Sequence, residues 1–90
     1  MNTESFCVVV FESTHDAIKT EKAIKTTLKV ELIPTPREIS ASCGLSVKFK
    51  VDEANSVRDI VKSIGTDRKR LFKIDYGTDG RQAIEMDWEV

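Results

Sequence analysis

The feature that most constrains the fold of this chain is an unbroken apolar run near its start, residues 6–11, with the sequence Phe-Cys-Val-Val-Val-Phe. A strand with one face in water alternates apolar and polar residues, whereas this run is apolar at every position. It therefore predicts a strand that is buried on both faces and lies in the centre of its sheet. Ninety residues make one domain, so the rest of the chain must be arranged around this strand.

Two segments have the apolar period of amphipathic helices. The first is expected to begin after Ser13, which can cap it together with Asp16 in a capping box, and to run to about Leu28. The second is expected to begin with Asp52 as its cap and to end at Gly65. The predicted apolar faces are Ala17, Ile18, Ala23, Ile24 and Leu28 in the first helix, and Ala54, Val57, Ile60, Val61 and Ile64 in the second.

Three shorter segments predict further strands, at residues 30–33, 45–51 and 71–76. Pro34 and Pro36 stop the first of these, because proline cannot donate to a strand ladder. The middle segment alternates apolar and polar residues, which predicts one buried and one solvent-facing side. Its expected solvent-facing residues are Ser46, Lys48 and Lys50.

The resulting order, βαββαβ, predicts an α+β ferredoxin-like fold with sheet order 4-1-3-2 and both helices on one face. After a turn signal at residues 76–80 the tail alternates again, which predicts a fifth strand at the edge beside strand 4. We therefore expect a core domain at residues 1–76 and an extension at residues 77–90. An edge strand carrying Trp88 could also pair in a homodimer, although a hairpin within the chain is the stronger expectation.

Composition and charge exclude several function classes. The formal net charge is −1, whereas nucleic-acid modules usually carry a basic surplus, so no nucleic-acid partner is expected. No apolar stretch reaches the length of a membrane span, and the N-terminus lacks the pattern of a signal peptide, so a cytoplasmic location is expected. A structural disulfide is not expected in the cytoplasm. The spacing of Cys7, His15 and Cys43 does not predict a zinc site.

The segment with the most chemical potential is the loop at residues 34–44, between the second and third strands. Hairpin connections usually contain about 2–5 residues, and extra loop length in so small a domain is typical of a functional segment. The loop combines a thiol with hydroxyl donors, a permanent cation and a glycine that permits a tight backbone. These residues are Arg37, Ser40, Ser42, Cys43 and Gly44.

The predicted topology brings this loop to the beginning of the first helix. Strand 3 runs antiparallel to strand 1, so its start lies near the end of strand 1, and Cys43 is expected near Ser13, Thr14 and His15. A helix N-terminus carries partial positive charge and free backbone amides. Such surroundings lower a thiol pKa and favour the thiolate, and they would equally stabilise a persulfide or selenide anion.

The same residues also have structural interpretations, which the sequence leaves open. Cys43 could be an incidental loop thiol, His15 a surface residue, and Arg37 an anchor that pairs with Glu38 or Glu21. Cys7 lies in the middle of the apolar strand, so we expect a small buried hydrophobe and not a resolving partner.

Three segments of the chain, residues 9–17, 21–23 and 34–45, resemble a family of short bacterial proteins described as selenium/sulfur carrier-like. The most specific part of the resemblance runs from the Pro-Arg pair to the Ser-Cys-Gly triplet. The tail from Gly77 lies beyond the part of the chain that resembles the family. The resemblance implies a protein that holds sulfur or selenium on Cys43 as a persulfide or perselenide. It also implies a donor protein and an acceptor protein, with no metal or organic cofactor.

Two other functions compete with a carrier. A sulfurtransferase or thiol redox enzyme is less favoured, because the chain has no Cys-x-x-Cys motif and no obvious base besides His15. The second is a non-catalytic module of ferredoxin-like fold that binds a small ligand or regulates a partner, since a fold does not fix a function.

Overall fold

The computed structural model describes residues 5–39, 44–65, 69–77 and 80–89. Five strands and two α-helices lie within these ranges. In chain order they are β1 (Phe6–Phe11), α1 (Thr14–Lys25), β2 (Glu31–Pro34), β3 (Leu45–Lys50), α2 (Ala54–Ile64), β4 (Lys69–Gly77) and β5 (Gly80–Met86). A short 3-10 turn, Val51–Glu53, precedes α2.

The strands form one antiparallel sheet in the order β2-β3-β1-β4-β5. β1 pairs with β3 on one side and β4 on the other, which confirms the central strand predicted from its apolar run. The order of the first four strands agrees with the predicted 4-1-3-2 order and is consistent with a ferredoxin-like core. β5 pairs with β4 in a hairpin and occupies the predicted edge position.

Both helices pack against one face of the sheet, which we call the helix face. β1 contributes Cys7, Val9 and Phe11 to the core on this face, and all three side chains are buried. The helices and the neighbouring strands supply the other buried members of this core, which are Ala17, Ile24, Val30, Val47, Phe49, Ala54, Val57, Val61 and Leu71.

Helix α1 departs from the prediction in its length and in its buried side. It ends at Lys25 and not near Leu28, and the next residue, Thr26, turns its hydroxyl back to donate to the Ala23 carbonyl at 2.8 Å. Ile18 is 37% exposed, so its predicted place on the apolar side was wrong. The buried stripe follows strict helical spacing instead and consists of Ala17, Thr20, Glu21 and Ile24.

Helix α2 ends as predicted and begins differently. Gly65 has a left-handed backbone with φ of 74°, a conformation that glycine adopts without strain. Asp52 is not the N-terminal cap, because it lies within the 3-10 turn. The Ala54 backbone N–H donates to the Val51 carbonyl, so the turn leads directly into the helix without a side-chain cap.

The opposite face of the sheet, which we call the loop face, is also apolar. Its central positions are Val8 on β1 and Phe72 and Ile74 on β4, and all three are buried. Ser46 on β3 pairs with Val10 and is fully buried as well, so the prediction that it faces solvent was wrong. Within the described ranges both helices lie on the other side, so a different covering explains this burial.

Candidate functional site

Residues 35–39, which follow β2, are attached to the loop face at two points. The Thr35 hydroxyl shares a hydrogen bond of 2.9 Å with the buried Ser46 hydroxyl, and Pro36 is buried next to it. Further along, the Glu38 carboxylate pairs with the Arg81 guanidinium of β5 at 3.0 Å. Between these two attachments the loop crosses from β3 to β5, a distance of about 14 Å at the usual strand spacing of ~4.8 Å.

A compact turn keeps this segment of the loop together. The Ile39 backbone N–H donates to the Pro36 carbonyl at 3.0 Å. The Arg81 guanidinium also lies 5.6 Å from the centre of the Phe6 ring, so the same group meets both Glu38 and the sheet. The loop is therefore attached through a buried hydroxyl pair at one end and a partly exposed ion pair at the other.

The two ends of the loop meet at the end of β1. The Thr35 backbone N–H donates to the Gly44 carbonyl at 3.0 Å, and the next residue, Leu45, pairs with Phe11. A Cβ atom built on Gly44 would lie 3.3 Å from the Thr35 hydroxyl oxygen and 3.6 Å from the Phe11 carbonyl oxygen. The backbone at Gly44 thus approaches its neighbours more closely than most side chains allow.

The beginning of α1 lies immediately beyond this contact. Ser13 has the extended backbone of an N-terminal cap, and its hydroxyl oxygen accepts from the Asp16 backbone N–H at 3.3 Å. The predicted cap is therefore confirmed. Thr14 and His15 are exposed in the first turn. Since Phe11 is two positions before Ser13 in the chain, Gly44 lies close to this helix end, as the topology predicts.

The remaining predicted site residues lie mostly outside this arrangement. Arg37 is exposed on the turn. The alternative in which it pairs with Glu38 or Glu21 finds no ion pair in the described ranges, where Glu38 pairs with Arg81 and Glu21 pairs with Lys25 at 3.2 Å. The other three predicted residues lie outside the described ranges and are Ser40, Ser42 and Cys43.

The other cysteine has the surroundings of a structural residue. Cys7 is fully buried in the core of the helix face and pairs with Phe49 of β3. Burial raises the pKa of its thiol, and the nearby cations Lys73 and Arg58 oppose that shift. The prediction of a small buried hydrophobe is confirmed.

The attachment of the loop to β5 is the feature that sequence reasoning missed. Glu38 and Arg81 are 43 positions apart, and neither belongs to an apolar period. The pKa of the Glu38 carboxyl is lowered, first by a hydrogen bond from its own backbone amide and further by Arg81, against an opposing effect of burial. Only the predicted place of β5 at the sheet edge indicated that its residues could reach the loop.

No group of three or more His, Cys, Asp or Glu side chains in the described ranges is arranged to hold a metal ion. Neither α1 nor α2 has the length and apolar character that crossing a membrane requires.

The geometry defines a small α+β domain in which residues 35–39, after β2, lie on one face of the sheet and Gly44 lies beside a helix N-terminus. Residues 6–73 match the model of a family described as "Putative Se/S carrier protein-like". Because the match covers more than half of the chain, the protein belongs to this family. The matched segment includes the whole loop and ends within β4.

Comparison with individual proteins adds a distant relative. The chain is 30% identical over 54 residues to an uncharacterised protein of Methanocaldococcus jannaschii, a stretch that covers 59% of this chain. The same stretch covers 27% of the relative. No solved structure gives a significant match.

Proposed function

We propose that this protein carries one sulfur or selenium atom on Cys43, as a persulfide or perselenide, from a donor protein to an acceptor protein. The observation that carries the proposal is the family match, since it spans the whole loop of residues 34–44. Cys7, the other cysteine of the chain, is buried in the core. Cys43 is therefore the better candidate for the carrier thiol.

The chemistry needs only thiol exchange. The Cys43 thiolate attacks the terminal sulfur of a persulfide on the donor, the sulfur–sulfur bond of the donor breaks, and the donor leaves as a thiolate. Cys43 then holds the persulfide. A thiolate of the acceptor attacks the same terminal sulfur, and Cys43 leaves as a thiolate. Each step moves one sulfur atom without net oxidation or reduction, and the terminal selenium of a perselenide moves in the same way.

The geometry next to the loop supports a site that favours anions. Gly44, the neighbour of Cys43 in sequence, lies at the end of β1, close to the cap Ser13 of α1. The partial positive charge of a helix N-terminus favours the thiolate and the persulfide anion. In this proposal Arg37 and the loop amides stabilise the anion, and Ser40 and Ser42 donate hydrogen bonds to it. Thr14 and His15 contribute the first turn of the helix.

Intact mass spectrometry of protein purified without reductant tests the proposal. We expect a mass increase of one sulfur or selenium atom after incubation with a persulfide donor, and its loss on treatment with a reductant. Cys43→Ser should abolish the increase, whereas Cys7→Ala should retain it. An unchanged thiol mass after incubation with the donor would rule out carriage on Cys43.

Turnover separates a carrier from a sulfurtransferase. A carrier is loaded once per molecule and releases its cargo only to an acceptor, whereas an enzyme transfers many equivalents from the donor to a small thiol.

We propose that the carrier is located in the cytoplasm. Its ferredoxin-like core would comprise residues 1–76, and residues 77–90 would form an extension. Pairing of the extension in a homodimer stays a prediction, which sedimentation analysis of the intact chain would test.

A further inference from the structure

A second concave surface lies at the opposite end of β1 from Gly44. A pocket of about 320 Å³ opens where β1 begins and β3 ends. Its apolar lining comes from Phe6 and from the buried side chains Val30 and Phe49. The length of β1 separates the pocket from Gly44, about 17 Å at ~3.4 Å per residue. The pocket is therefore distant from Gly44 and from the beginning of α1.

The lining of the pocket carries more positive than negative charge. Lys29, Lys48 and Lys50 line it, against one acidic lining residue, Glu31. None of these lysines forms an ion pair with a carboxylate in the described part of the chain. Positive charge is thus concentrated in a concavity of a chain whose net charge is −1, and a cleft of this kind attracts anions.

The Ser5 hydroxyl at the edge of the pocket already forms a hydrogen bond with another side chain of the protein. Ser5 lines the pocket, and its hydroxyl donates to the Asp75 carboxylate, which also accepts from the Tyr76 backbone N–H. These hydrogen bonds lower the pKa of Asp75 and hold its carboxylate in place. The Lys48 ammonium lies 4.5 Å from the centre of the Phe6 ring, so it is held against the pocket wall.

We propose that this pocket binds a small organic anion. The apolar or aromatic body of the ligand packs against Phe6, Val30 and Phe49, and its carboxylate, sulfonate or phosphate group faces Lys48 and Lys50. The volume is at the lower end of the usual range for ligand pockets, about 300–1,000 Å³, which favours a compact ligand. This site does not depend on Cys43 or on the proposed carrier function.

A matched pair of fluorescent probes tests the role of the charge on the intact chain. Anilinonaphthalene sulfonate carries an aromatic body with one negative charge, and N-phenyl-1-naphthylamine has nearly the same body without that charge. We expect the sulfonate to bind at least about fivefold more tightly than the uncharged probe, because a charge-assisted contact is worth ~1 kcal/mol or more and 1.4 kcal/mol is tenfold in affinity.

Charge-matched variants then test the location. The double variant Lys48→Gln, Lys50→Gln should weaken binding of the sulfonate at least about fivefold, and Lys48→Arg should retain it. The control is Lys19→Gln, Lys22→Gln, which removes the same charge from exposed positions on α1 and should bind like the wild-type protein. Thermal unfolding of each variant shows whether it is folded.

Backbone amide chemical shifts of the wild-type protein give a second measurement, which does not depend on whether any variant folds. On titration of the wild-type protein with the sulfonate, the largest shifts should occur at residues 5–6, 29–31 and 48–50. Equal binding of the two probes, equal weakening in the α1 control, or shifts centred elsewhere would each overturn the proposal. Cys43→Ser should bind the sulfonate normally, so failure of the carrier proposal leaves this result unaffected.

Discussion

The helix face and the loop face of the sheet both have a buried apolar centre, but different kinds of structure lie on them. The helix face is covered by α1 and α2, whose buried residues repeat at helical spacing along about two turns of each helix. On the loop face, in the described ranges, residues 35–39 are attached to the sheet by one hydroxyl pair and one ion pair, and Arg70 lies 4.9 Å from the centre of the Phe72 ring. Because these are contacts of single side chains and not of packed helices, we expect the loop face to open at a lower cost in free energy than the helix face.

The largest expected effect comes from removing side-chain volume on each face of the same strand. Leu71 on the helix face and Ile74 on the loop face are both fully buried on β4. We expect Leu71→Ala to lower the free energy of unfolding by about 4 kcal/mol and Ile74→Ala by about 2 kcal/mol, because a loop can collapse into a cavity more readily than packed helices.

Urea unfolding of the two variants measures this difference directly. Equal losses would show that the loop is as rigid a covering as the helices. A greater loss for Ile74→Ala would reverse the comparison.

A smaller effect is expected from the hydroxyl pair under the loop. Thr35→Val or Ser46→Ala removes one hydroxyl and leaves the other without its 2.9 Å partner. Each single change should cost about 1–2 kcal/mol, and the double variant should cost clearly less than the sum of the two. A double-mutant cycle by chemical unfolding checks this, and strict additivity would contradict a coupled pair.

The smallest effect on global stability is expected from the ion pair at the other attachment. Both side chains of Glu38 and Arg81 are partly exposed, so Arg81→Gln should cost less than about 1 kcal/mol. Amide exchange of residues 37–39 should nevertheless become faster, since Arg81 holds that turn on the sheet. The exchanged pair Glu38→Arg, Arg81→Glu should slow it again, and unchanged exchange in Arg81→Gln would show that the ion pair does not hold the loop.

The pH dependence of this attachment has a defined sign. The pKa of Glu38 is lower in the folded protein than its ordinary value, so the carboxylate adds stability above the pKa of the unfolded state. That contribution is lost as the pH falls through the lower folded pKa. Exchange of residues 37–39 in the wild-type protein should therefore approach that of Arg81→Gln once the pH has fallen below the lowered pKa of Glu38 in the folded protein, after correction for the intrinsic dependence of amide exchange on pH.

The difference between the faces also explains which features the sequence predicted. The helix face follows local periods, so the apolar run of β1, the stripe of α2 and the end of α2 at Gly65 were all readable. Ile18 was wrongly predicted to be buried, because a side chain one position from the buried stripe points about 100° away from it. The position of Asp52 misled because a 3-10 turn can replace a capping side chain.

The loop face depends on contacts between residues far apart in the chain, and these leave no periodic signal. Ser46 reads as a solvent-facing residue of an alternating strand until Thr35 is placed above it. The pairing of Glu38 with Arg81 requires the place of β5 and the path of the loop at the same time. The approach of Gly44 to the end of β1 was predictable, because antiparallel pairing alone places it there.

Because Cys7 is buried, its reaction with a thiol reagent can report how often the folded protein opens locally. A thiol reagent reaches this side chain only in molecules whose helix face has separated, since it is fully enclosed in the folded state. In the Cys43→Ser background, the rate at which Cys7 is labelled therefore counts those opening events under native conditions. Thiol labelling of Cys7 can thus measure the opening of the helix face, while amide exchange at residues 37–39 measures the opening of the loop face in the same molecule.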